Sequence, residues 1–255
     1  MKLTKYNTTT RNYLLQKIIV FTCLFFSLKA AAQPKQEAIL NLRFNIKAGT
    51  AAVVPGHTYT NPFGEDYTVQ KFRFYITQVE LKESTDMSVQ FFPDDYFLID
   101  AGDTATQTIA IPLSIKHITS VSFMIGVDSS ANVGGTQQGA LDPANGMFWT
   151  WNTGYIMLKL QATSPAAKVP ANSFTYDVGG FKTGENVARK VGFFIRHGIN
   201  QAVHNIIFNV DINKIFEGDH SIKIAEHPMC HEPGALAMQL ADNYGGMFSI
   251  QQVTK

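Results

Sequence analysis

Apolar and polar residues alternate with a period of two through most of this chain, and that pattern restricts the fold more than any other feature. Segments 40–47 (LNLRFNIK), 71–81 (KFRFYITQVEL), 119–127, 155–162, 189–197 and 203–212 all carry it. A strand sends successive side chains to opposite faces, so alternation marks strands with one face on a core. Shorter candidates are 95–100 (DYFLID), 108–113 (TIAIPL), 172–178 (NSFTYDV), 221–225 (SIKIA) and 247–253 (MFSIQQV). Helical spacing is convincing only in 233–244 (PGALAMQLADNY), with one further turn at INKIFEG. Many short strands separated by turn signals, with no internal repeat or linker, predict an all-β, single-domain β-sandwich of about ten short strands with one short C-terminal helix. The 19 phenylalanines fall mostly in these strands and are assigned to the core between two sheets.

The first residues do not fit that pattern. Four basic residues, Lys2, Lys5, Arg11 and Lys17, precede the apolar run IIVFTCLFFSL, which exits through KAAAQ. This is the layout of a secretory signal peptide over 1–32, leaving 33–255 as the folded domain and placing the protein in the periplasm or outside the cell. The apolar run is too short to span a bilayer comfortably, and the residues around Cys23 do not suit lipid attachment. Five of the 21 Lys and Arg lie in that segment with no acid, so the mature chain carries 16 bases against 20 acids. Such a balance gives no electrostatic reason to expect nucleic acid as a partner. Only Cys230 remains after cleavage, so no internal disulfide forms and the core alone holds the fold.

Three clusters carry candidate chemistry. Trp149 and Trp151, the only tryptophans, follow the turn-rich run GALDPANGMF. Strand alternation would place both rings on one face, where they serve as core, as a sugar platform or as an oxidisable site. The loop GVDSSANVGGTQQGALDPANGM offers Asp128, Asn132, Asp142 and Asn145, oxygen donors suited to calcium or, equally, to capping their own turns. In HPMCHEP, imidazole, thioether and thiol crowd together at His227, Met229, Cys230 and His231. That mixture favours copper, the cuprous ion above all, and also suits zinc. A free extracytoplasmic thiol is exposed to oxidation, so Cys230 is expected to be buried or bound. No nucleophile–base pair or carboxylate pair stands out, which argues for a binding protein and not an enzyme.

FRFYITQVEL, IGVDSSANVGGTQQGALDPANGMFWTWNTGYIMLKLQ, FTYDVGGF and LADNYGGMFSI occur in the order seen in the MbnP-like family, which the chain resembles over about residues 38–253. The resemblance implies a secreted or periplasmic β-protein of a copper-acquisition system associated with methanobactin. It also implies a dihaem peroxidase-like partner that oxidises a tryptophan to kynurenine, which joins histidines at the copper. Trp149 and Trp151 match the tryptophan motif. Two positions depart from the family: Ile46 and Asp177 stand where relatives commonly carry histidine. His204, His227 and His231, with Met229 and Asp177, are the donors left to build a metal site. Two other readings stay open: a metal-free module that holds a glycan or a protein, and a scaffold that has lost its ligand.

Overall fold

The computed structural model describes residues 38–83, 87–151, 154–200 and 205–254; the segment 1–32, expected to be a signal peptide, and His204 lie outside them. Residues Ala38–Lys255 cluster as one compact unit. The chain forms β1 (Ala38–Ala48), β2 (Ala51–Ala52), β3 (Thr58–Thr60), β4 (Asp66–Lys82), β5 (Val89–Asp100), β6 (Thr108–Leu113) and β7 (His117–Ile125). A short helix α1 (Ser129–Val133) and β8 (Phe148–Trp149) precede β9 (Gly154–Thr163), β10 (Ser173–Gly179), β11 (Arg189–Asn200) and β12 (Asn205–Asp211). Last come β13 (Met229–Cys230), α2 (Ala235–Gly245) and β14 (Phe248–Thr254).

These strands make two sheets. One runs β14-β12-β1-β2, with β6 also on β1; the other runs β11-β7-β4-β9-β10-β13, with β3 and β5 on β4 and β8 on β9. Strand β1 lies parallel to β12, pairing Asn41 with Asn205 and Lys47 with Asp211. Its alternate residues Leu40, Leu42, Phe44 and Ile46 are buried, as the period of two requires. Rings from both sheets meet between them. Phe44 stacks on Phe208 within the first sheet at 5.5 Å and meets Phe74 and Phe123 of the second edge-on at 6.3 and 5.8 Å. A cluster of phenylalanines therefore bridges the two sheets within a mostly aliphatic core, in the edge-to-face pairs that aromatic rings favour.

The all-β architecture matches the alternation, with three differences of detail. Four strands of two or three residues (β2, β3, β8 and β13) are too short to show a period, and α1 adds a second helix. The segment 221–225 is not a strand. Ile222 and Ile224 are buried in alternation, but the amides of Ile224 and Ala225 donate to the Glu65 carboxylate at 2.8 and 2.9 Å. A side chain thus takes the place of the neighbouring backbone that a strand needs. The predicted C-terminal helix is present, burying Ala237, Leu240, Ala241 and Tyr244 at helical spacing. No helix of the described residues is long and apolar enough to cross a membrane.

Candidate functional site

The tryptophans owe their position to turns rather than to a strand period. Asp142 caps the 3-10 turn Pro143–Asn145 by accepting from the Ala144 amide at 2.8 Å, and Gly146 closes it with φ 68°, a conformation that favours glycine. Met147 is then buried, and the two-residue strand β8 pairs Phe148 with Tyr155 and Trp149 with Gly154. The strand ends at Trp149, and a turn returns Trp151 to it: the ring centroids lie 5.3 Å apart, tilted by 37°. The pair is asymmetric. Trp149 is 6% exposed and Trp151 is 63% exposed.

Trp149 is seated on β10. A Cβ added at Gly179 would fall 2.7 Å from ring carbon Cζ3 and 2.8 Å from the Tyr155 carbonyl, so only glycine leaves room for the indole. Gly179→Ala is expected to displace Trp149 and cost about 1–3 kcal/mol, the usual range for overpacking. A lower denaturation midpoint with altered tryptophan emission would show it.

Beyond Gly179 a basin of about 510 Å³ opens, lined by Trp149, Trp151, Asp177, Met229, His231 and Glu232. A smaller hollow of about 220 Å³ shares both tryptophans and Glu232 but runs toward Phe181, Lys182 and Glu185. Strand β13 lies parallel to β10, with Met229 beside Thr175 and Cys230 beside Tyr176. Alternation therefore splits the HPMCHEP cluster. Met229 and His231 line the basin, while Cys230 turns inward and is buried. Burial pushes its thiol pKa up to about 11. Native protein at pH 8 should therefore react slowly with a thiol reagent, with labelling accelerating on unfolding. His227 is exposed, does not line the basin, and offers its carbonyl to the Tyr176 hydroxyl at 2.8 Å.

Asp177 lies on the floor beside Lys159 of β9, its cross-strand neighbour. The Lys159 ammonium meets Asp177 Oδ2 at 3.0 Å, and both residues are buried. The other carboxylate oxygen, Oδ1, is buried with no hydrogen-bond partner. Orphaned buried acceptors are uncommon and costly, so this one marks the site. Lys159 and Glu232 escaped the sequence reading; a single lysine in the buried strand YIMLKLQ was the available signal for an internal ion pair.

The candidates for oxygen ligation are engaged locally. Asp128 caps α1, accepting from the Ala131 amide, the Ser130 hydroxyl and the Tyr96 hydroxyl. These bonds hold its carboxyl below the usual range against the opposing effect of burial. Asn132 bridges to Val127, Asp128 and the Tyr155 amide, and Asn145 bonds the Gly139 and Ala140 carbonyls. Asp128 and Asp142 cap turns, Asn145 bonds back within its loop, and Asn132 ties α1 to β9, so all four side chains are engaged within the protein. Ile46 is buried on β1 beside Val53 and Ala101, and it does not line the basin that holds Asp177. Among the described residues no group of three or more His, Cys, Asp or Glu is placed to hold a metal.

The MbnP family model matches residues 37–232. The chain belongs to the MbnP family. A similar solved structure is MbnP from Methylosinus trichosporium, 16% identical, covering 83% of this chain and 97% of that one with a TM-score of 0.53. At that identity the likeness concerns the fold. No curated protein matches the chain. Within this MbnP-family fold, the matched region takes in every residue of the basin, from Trp149 to Glu232.

Proposed function

We propose that this MbnP-family protein handles copper outside the cytoplasm, as a binding protein and not as an enzyme. One observation carries the reading: Met229, His231 and Asp177 converge on one basin against the tryptophan pair. The donor set fits cuprous copper better than zinc. A structural zinc site closes around four nitrogen or sulfur ligands, whereas thioether and imidazole together select the softer ion. With no cage of three ionisable donors among the described residues, Met229 and His231 would hold the ion and leave the site open. Asp177, a harder donor already shared with Lys159, is better suited to balancing charge nearby. When bound, copper would supply an exchangeable, redox-capable centre. The protein's own part is to seat the tryptophans, keep Cys230 out of the basin, and present an open face.

Trp151 is the ring offered to an oxidising partner, because it is exposed while Trp149 is closed against Gly179. A dihaem peroxidase-like protein acting there would make Trp151 the residue converted to kynurenine. The direct test is titration of the mature chain with cuprous ion under reducing conditions. Quenching of tryptophan emission is expected, with affinity lost in Met229→Leu and His231→Ala but kept in His227→Ala. Failure to retain copper at micromolar protein would overturn the reading.

A second reading draws on the exposure of Trp151 itself: a metal-free module that uses this ring to hold a glycan or a protein. Binding that survives chelation and disappears in Trp151→Ala would favour it.

A further inference from the structure

The lining of the Trp149–Trp151 basin has a definite electrostatic character. It contains two indoles, the carboxylates of Asp177 and Glu232, one thioether and one imidazole, and no lysine or arginine. Indole faces attract cations through their quadrupole, and a compact organic cation can gain from several such groups together. Asp177 adds a specific deficit. One of its oxygens is engaged by Lys159, while the other is buried without a hydrogen-bond donor. A positive charge placed in the basin would offset that uncompensated acceptor. Size matters too: about 510 Å³ is far more than a bare ion fills and lies in the range of small-molecule sites.

We infer that this basin binds an alkylated ammonium group, held between the Trp151 face and the Asp177 and Glu232 carboxylates. The same chemistry occurs in a free quaternary amine such as choline and in a methylated lysine side chain. The inference does not rest on the copper reading, and bound copper and the ammonium group would compete for one space. The hydrophobic tryptophan walls favour a methylated headgroup over a bare ammonium, which is more strongly hydrated.

The test uses the mature chain with a chelator present, so that its outcome is separate from copper retention. Choline is titrated against tryptophan emission beside 3,3-dimethylbutan-1-ol, its uncharged isostere. Choline should give a saturable change, with the isostere at least about tenfold weaker and Trp151→Ala reducing choline affinity by about tenfold. Glu232→Gln, a surface substitution that does not disturb the Lys159 pair, should weaken choline and leave the isostere unaffected. A trimethyllysine peptide in parallel locates the source: tighter binding of the peptide points to a protein partner, and tighter binding of choline to a small molecule. Equal binding of choline and its isostere, no saturable response, or unchanged affinity in Trp151→Ala would each overturn the inference. A protein that binds choline but retains no copper would leave it standing.

Discussion

Phe123→Ala is expected to lower folding stability by about 3–5 kcal/mol, the range for removing a fully buried aromatic ring. Phe123 sits on β7 of the larger sheet with no exposure. Its ring meets Phe44, Phe208 and Phe248 of the opposite sheet at 5.8, 5.5 and 5.2 Å, and Phe193 of its own sheet at 5.7 Å. Three of these four contacts cross between sheets, so truncation opens a void at the seam of the sandwich. Backbone ladders on either side limit how far the sheets can close over it, which places the cost high in the range. Denaturant unfolding measures it. A loss below about 1 kcal/mol would mean that the two sheets do not share this core.

The second large effect belongs to the site. Asp177→Ala should cost about 3–5 kcal/mol, because it leaves the Lys159 ammonium buried without its partner. Both residues are buried, and their contact is 3.0 Å. The pair as a whole is not expected to be a net stabiliser, since two charges lose their hydration and Oδ1 gains no donor in return. Replacing both, as Lys159→Met with Asp177→Leu, should therefore recover most of the loss while altering the basin floor. Equal stability of Asp177→Ala and the parent protein would mean that Lys159 swings to solvent when its partner is removed.

How much of this was legible in the sequence depends on how local the determining contact is. Alternation in LNLRFNIK gave β1 and its buried set, because side-chain period is a property of the strand itself. The same alternation misled at 221–225, since it reports which side is buried and not whether a backbone lies alongside; there Glu65 serves instead. Strands β8 and β13, two residues each, carry no period at all.

The site follows the same division. The types of Trp149, Trp151, Met229 and His231 announced candidate chemistry, and the structure brings these four into one basin. Their arrangement was not readable. That Cys230 faces inward follows from the pairing of β13 with β10, which joins residues more than fifty positions apart. The Asp177–Lys159 pair and the glycine seat under Trp149 depend on cross-strand register of the same kind. The expectation that both tryptophans share a strand face reached the right neighbourhood by the wrong route, because a turn and not a strand returns Trp151 to its partner.

The most direct test of the copper-handling account is metal analysis with peptide mass spectrometry on the mature protein taken from its native envelope. The account predicts stoichiometric copper that is lost in Met229→Leu and His231→Ala, and the mass change from tryptophan to kynurenine at Trp151 with Trp149 intact. Protein carrying no copper, with both tryptophans unmodified, would contradict it.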